Sequence, residues 1–149
     1  MREILFRGKR KDNGKWVEGA FLHLNVGRDF ICDGTVWIGT LQPVKYEVDP
    51  ETVGQYTGII DKVGNRVFEG DLVQRGRKTP GYDPEIEVGV IAFEDGCFVI
   101  KDIYSADGYN ELSCVYNEIR TSDGYMDDVL FEVSGTIYDI PDLTKEAAQ

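Results

Sequence analysis

The sequence predicts a mainly β fold with a minor α component: short antiparallel strands and hairpins, with a small SH3-like barrel in the C-terminal two-thirds. Three observations predict it. Most of the 17 glycines fall between short apolar runs, which favours a turn-rich sheet over a helical bundle. Compact turn signals separate those runs, among them Asp12-Asn13-Gly14 and Glu94-Asp95-Gly96. From residue 54 to 138 the short runs succeed one another at hairpin spacing, the pattern of a small barrel.

Taken in order, residues 2–7 and 15–24 read as two strands of a hairpin turned at Asp12-Asn13-Gly14. Residues 29–31 and 36–39 read as a second hairpin, turned at Cys32-Asp33-Gly34-Thr35, and residues 44–48 as an extended stretch between Pro43 and Pro50. Asp49 can cap a single helical turn in which Pro50 takes the first position. Residues 56–60 and 66–68 form strands about the turn Asp61-Lys62-Val63-Gly64-Asn65; Gly70 breaks the chain, and residues 72–74 resume it. Residues 75–85, polar and with two prolines, read as a loop. Residues 87–93 and 97–101 make a hairpin around Glu94-Asp95-Gly96. In residues 105–128 a short helix over 108–119 competes with a long loop. Residues 129–133 and 135–138 read as closing strands, Pro141 starts a final helical turn, and the tail 144–149 frays.

The length of 149 residues predicts one domain, 1–149, with sub-lobes 1–53 (hairpins) and 54–143 (the barrel). A hydrophobic content of 42% is enough for a buried core. The net charge of −11 and pI near 4.5 disfavour a general nucleic-acid binder, which gains from counterion release only if it is basic. Arg2, Arg7, Lys9, Arg10, Lys11 and Lys15 cluster near the N-terminus, and Arg75, Arg77 and Lys78 mid-chain; both clusters read as solvated turns. Cys32, Cys97 and Cys114 have no metal-ligand spacing and read as reduced residues of a cytosolic protein. The N-terminal MREILFRGKRKDNG lacks an apolar signal segment, and no run is long enough to span a bilayer. The expectation is a soluble cytoplasmic protein with no membrane contact.

The most informative stretch is QYTGIIDKVGNRVFEGDLVQRG, residues 55–76. Its carboxylates, Asp61, Glu69 and Asp71, invite a reading as a hard-cation or hydrolase site. The spacing lacks the alternating oxygens and terminal glutamate of a calcium loop, and carboxylates two apart on a strand need not converge. In the structural reading Gly64 and Gly70 permit a turn and a bend, and the acids accept backbone N–H bonds. Elsewhere, the single histidine, His23, has no nucleophile motif beside it, no phosphate-binding glycine loop occurs, and no metal or cofactor is expected. No catalytic set is read. Tyr104, Tyr109 and Tyr125 lie in a polar segment and are the candidate interface residues.

There is one internal echo. Lys11–Leu22, KDNGKWVEGAFL, is similar to Asp61–Val73, DKVGNRVFEGDLV. A shared hairpin and bulge account for it without duplication.

The stretch also resembles the signature of the YopX family of bacteriophage and prophage proteins, Q-Y-T-G-L-x-D-K-x-G-x-x-[IV]-[FY]-E-G-D-[IL]-V. Gln55, Tyr56, Thr57, Gly58, Asp61, Lys62, Gly64, Phe68, Glu69, Gly70, Asp71 and Val73 fall on it. The opening ILFRG and the closing FEVSGTIYDIPDL are similar to the family's first and last strands; Thr136 stands for the usual Asn, and residues 139–143 depart in spacing. The resemblance implies a phage or prophage origin and a mainly β fold, and it supplies no catalytic residues. Together these readings predict an accessory protein acting through protein contacts, as a homo-oligomer or on a host or phage protein. The alternatives are a nucleic-acid-binding or DNA-mimicking β module and a hydrolase or metal site on Asp61, Glu69 and Asp71.

Overall fold

The computed structural model describes residues 2–77, 81–83, 85–102, 109–111 and 129–139. It divides into two compact units, Met1–Gly58 and Ile59–Gln149, and the fold is mainly β, built of antiparallel sheets.

In the first unit β1 (Phe6–Lys9) and β2 (Trp16–Leu24) pair across the Asp12-Asn13-Gly14 turn, with Lys9 opposite Trp16. Asn13 Oδ1 accepts from the Lys15 amide at 2.9 Å, closing that turn. β3 (Arg28–Cys32) lies beside β2, and β4 (Tyr46–Val48) beside β3. A single 3-10 turn, Pro50–Thr52, comes next. It is capped as the sequence indicates: the Asp49 carboxylate accepts from the Glu51 amide at 3.1 Å, with Pro50 in the first turn. β5 (Gly54–Ile60) then returns to β1, Gln55 opposite Phe6. The strand order is therefore β4-β3-β2-β1-β5.

Past the end of β1 the chain meets β4. Arg10 bridges Val48, the Lys11 amide donates to the Glu47 carbonyl at 2.9 Å, and the Asp49 amide donates to the Lys9 carbonyl at 2.8 Å. This curl encloses a small core of Val17, Ile31 and Val48, the last two fully buried, with Phe6, Phe21, Tyr46 and Val53 around it. Gly19 sits where β2 passes from β1 to β3; a Cβ there would lie 1.9 Å from the Cys32 carbonyl oxygen, so only glycine lets the backbones approach.

In the second unit the last residues of β5 turn at Asp61 and return as β6 (Arg66–Phe68). β7 (Asp71–Arg77), β8 (Glu85–Glu94), β9 (Cys97–Asp102), β10 (Tyr109–Glu111) and β11 (Val129–Thr136) form one sheet in the order β10-β9-β8-β7-β11. Its core is Val67, Val73, Ile91, Ile100 and Phe131, flanked by Ile59, Phe98 and Val133. Burying each such aliphatic side chain contributes roughly 1.5–3 kcal/mol relative to leaving it in water, so each unit has an apolar core of its own.

Five expectations need correction. The strand β3 does not pair with residues 36–39. It pairs with β2 through a turn at Asn25-Val26-Gly27, where the Gly27 amide donates to Leu24, and Val36 makes only an isolated bridge to Pro43. The sheet of the second unit does not close, so the SH3-like barrel is not confirmed; β11 and β10 stand at opposite ends of its order. Strands run into the expected loop, since β7 continues to Arg77 and β8 starts at Glu85. Residues 109–111, within the proposed helix, are strand β10, paired to β9. The rest of that segment and the helical turn at Pro141 lie outside the described residues. The two closing strands are one, β11, with a bulge at Ser134 between the pairs Val133–Val73 and Gly135–Leu72. Among the described residues no helix is long and apolar enough to cross a membrane.

Candidate functional site

Two motif carboxylates, those of Asp61 and Asp71, accept from backbone amides. Asp61, 5% exposed, accepts four hydrogen bonds. Its Oδ1 takes the amides of Val63 at 3.1 Å and Asn65 at 2.7 Å; its Oδ2 takes Asn65 Nδ2 at 3.1 Å and the Val133 amide at 3.0 Å. The first two tie the β5–β6 turn, in which Gly64 has φ +95°. The Val133 bond belongs to β11. Together with the Lys62 amide, which donates to the Phe131 carbonyl at 3.0 Å, it puts the turn along a stretch of β11 on the side away from β7. An edge strand with bare N–H and C=O groups invites pairing with another chain, and covering it is a usual remedy.

Asp71, fully buried, accepts from the Phe68 amide at 2.8 Å across the Glu69-Gly70 turn. Gly70 has φ +86°, and a Cβ there would lie 2.7 Å from Tyr138 Cε2. Its amide donates to Ile91 at 2.8 Å and its carbonyl accepts from Ile137 at 2.9 Å. The turn is thus held from both sides, and glycine is required twice, for the backbone angle and for the ring above it. The Glu-Gly pairs of the internal echo differ accordingly: Glu18-Gly19 lies inside β2, Glu69-Gly70 is a turn. Thr136, in the place of the usual Asn, accepts from the amides of Tyr138 and Asp139 at 3.2 Å each and donates to Asp139 Oδ2 at 2.7 Å. Ser and Thr hydroxyls close turns in the manner of an Asn amide.

Gln55, Tyr56 and Thr57 lie on β5 beside β1: Tyr56 is buried and its amide donates to the Leu5 carbonyl at 2.8 Å. Gly58 ends the first unit with φ +86°. Glu69 is half-buried beside Gly70. The structure does not gather Asp61, Glu69 and Asp71 into a ligand set; among the described residues no group of three His, Cys, Asp or Glu side chains converges as for a metal ion. Cys32 and Cys97 are half-buried free thiols. Tyr104, Tyr125 and Cys114 lie outside the described residues. Tyr109 begins β10 opposite Lys101, and its side chain too lies outside what is described.

His23 and Asp29 face each other across β2 and β3. His23 Nδ1 lies 2.5 Å from Asp29 Oδ1, the imidazole exposed and the carboxylate buried. That is a base with its orienting acid, and among the described residues no Ser, Thr or Cys is hydrogen-bonded to the imidazole.

Part of the N-terminal basic cluster is paired or stacked in place. Arg10 Nε donates to Asp12 Oδ1 at 2.9 Å, and that pairing holds the Asp12 carboxyl below its usual range. Arg28 donates two hydrogen bonds to Glu47, at 3.0 and 3.1 Å, and Lys11 stands 3.6 Å from the same carboxylate. Arg7 and Lys9 cover Trp16, and Arg10 covers Tyr46 at 4.2 Å.

Sequence reasoning missed one feature, the tip at residues 33–44. The Asp33 carboxylate accepts from the Thr35 amide at 2.9 Å, and that backbone bond is the main reason its carboxyl titrates low. The Val44 amide donates to Thr35 at 2.8 Å, Trp37 to Gln42 at 2.8 Å and Leu41 back to Trp37 at 3.0 Å. The tip is therefore an internally bonded finger. On it Ile38 is 99% exposed, Leu41 76%, Trp37 62% and Val36 44%. Leu41 has φ +54°, uncommon for a branched side chain. No charged residue occurs between Asp33 and Lys45. The available signal is that uncharged run between Gly34 and Pro43, with Trp37, Ile38 and Leu41 in it, too apolar for an ordinary loop.

Charge is also unevenly divided. Residues 1–58 hold eight Lys and Arg against eight Asp and Glu; residues 59–149 hold eight against nineteen, so they carry the whole −11.

Fold and site together define a class: an antiparallel β protein whose motif residues Asp61 and Asp71 bind its own backbone and whose described surface displays an apolar finger. The family model described as "YopX protein" matches residues 5–145, and the chain belongs to the YopX family. No curated protein matches the chain.

Proposed function

We propose that this YopX-family chain is a phage- or prophage-encoded accessory protein of the bacterial cytoplasm that acts by contact with proteins, not by catalysis. The observation that carries the reading is the finger at residues 33–44. Its four large apolar side chains face water on a hairpin tip closed by its own hydrogen bonds. Trp is among the side chains most enriched where binding energy concentrates, and a tip already ordered loses little further entropy when it docks. The acids of the family motif support the same reading, since Asp61 and Asp71 accept backbone amides.

A photo-crosslinking amino acid at position 38 tests it in the producing cell. The expected result is one or a few adducts of discrete mass, absent when the same group replaces Lys15 on the exposed first turn. Irradiation that yields no adduct at position 38, or the same diffuse set at both positions, would remove the basis of the proposal.

A further inference from the structure

Building on that contact reading, we infer that the finger's occupant is a second copy of this chain, the two fingers meeting about a two-fold axis. Such an interface is isologous: the same patch serves both partners, and a patch without charge has no like-charge clash with itself. The finger fits that requirement, with eleven uncharged residues, 34–44, between Asp33 and Lys45.

The charge division points the same way. Two copies meeting through residues 59–149 would oppose two bodies of charge −11, whereas residues 1–58 carry no net charge. Repulsion between like-charged surfaces opposes association unless screened. The finger lies in the neutral unit.

The area suits a weak pair. Weighting the side chains of Val36, Trp37, Ile38 and Leu41 by their exposed fractions gives roughly 450 Å² of apolar surface per copy, or about 900 Å² for a pair, the size of a weak, transient interface. A patch of this size is about the largest that a typical monomer shows, and such patches are often functional. Thr35, Thr40 and Gln42, exposed on the same tip, supply polar groups beside Trp37 and Ile38, the mixture of apolar core and polar rim that an interface uses. An anionic membrane is a poor alternative for a chain of net charge −11, because such surfaces attract basic segments.

Sedimentation equilibrium of the purified full chain, from about 1 to 100 µM, spans the affinities expected of so small an interface. The wild type should pass from one chain to two over that range. Ile38→Asp should raise the dissociation constant at least about 100-fold, as loss of a central apolar contact does, and Ile38→Ser should raise it by less. Both should keep the wild-type far-ultraviolet spectrum and melting temperature, since Ile38 is 99% exposed. Raising NaCl from about 0.1 to 1 M should not weaken the dimer, because an apolar contact is not screened.

A wild type of single-chain mass at every concentration overturns self-pairing, while adducts to other proteins at position 38 would still uphold the contact reading. A dimer indifferent to both substitutions, or one dissolved by salt, overturns the finger as its interface. A monomer that sediments with neutral phosphatidylcholine vesicles through Ile38 assigns the finger to a lipid surface and overturns the inference as well.

Discussion

Asp33 in the first unit and Asp61 in the second make the same local bond: each carboxylate accepts from the amide two residues on, at 2.9 and 3.1 Å. The two turns are put to different uses. Asp33 is exposed, and the hairpin it opens ends in Trp37, Ile38 and Leu41 facing water. Asp61 is buried, and its second oxygen reaches the Val133 amide, 72 residues away. One turn displays a surface and the other covers a strand. The units also differ in balance: the first is neutral with a core of three buried aliphatic side chains, the second is acidic with a core of five buried residues. Turn chemistry of one kind thus serves presentation or closure according to what lies within reach of the second oxygen.

The comparison breaks most sharply at Asp61. Asp61→Ala leaves the part-buried amides of Val63, Asn65 and Val133 without their acceptor; a donor left unsatisfied costs about 1–3 kcal/mol when fully buried and less where water reaches it. A loss of about 3 kcal/mol is expected, read as a lower urea midpoint by far-ultraviolet circular dichroism. Both tryptophans, Trp16 and Trp37, lie in the first unit, which has its own core. Their emission should therefore keep its midpoint while the dichroism transition moves. Equal shifts in both signals would mean that the units do not unfold separately.

Gly70→Ala comes next. It forces a side chain into φ +86° and against Tyr138, a cost of about 2 kcal/mol. Removing the ring should relieve the steric part alone, so Gly70→Ala with Tyr138→Ala should lose less than the two single effects together. Strict additivity in thermal melts would show that Tyr138 does not press on the turn.

The smallest effect is electrostatic and belongs to the first unit. The hydrogen bonds from Arg28, and after them the charges of Arg28 and Lys11, hold the exposed Glu47 carboxyl below its ordinary 4.5. A carboxyl whose folded value is depressed binds protons more readily when unfolded. Its contribution is therefore present above the ordinary value and is lost as pH falls through the depressed one. Glu47→Gln should slightly flatten the acid limb of the stability curve while leaving stability below that window unchanged. Because the pair is exposed, the difference should shrink in high salt. A steeper acid limb in the variant would contradict this reading.

Legibility tracks the range of the interactions. Asp12-Asn13-Gly14, Asp49-Pro50 and Glu94-Asp95-Gly96 carry their instructions in adjacent residues, and each forms the turn or cap its residue types dictate. The partner of β3 is not legible, because Asn25-Val26-Gly27 holds a turn as firmly as Cys32-Asp33-Gly34-Thr35 does, and only pairing decides between them. Propensity does not show that β1 and β4 meet at Arg10 and Val48, nor that the sheet from β7 to β11 stays open. The motif acids are readable as acceptors of backbone amides, but not that one of them reaches β11. The finger escapes because apolar residues ordinarily signal burial, and the sequence alone does not say which ones face water.

The bond between Asp61 and Val133 has a consequence for synthesis. Translation delivers residue 61 first, and at ~5–20 residues per second the 72-residue separation is a wait of roughly 4–14 s. The turn around Asp61 needs only its neighbours, Val63 and Asn65, to take shape. An acceptor made of neighbouring residues therefore can form before β11 emerges from the ribosome, and that strand then arrives at a berth made before it existed.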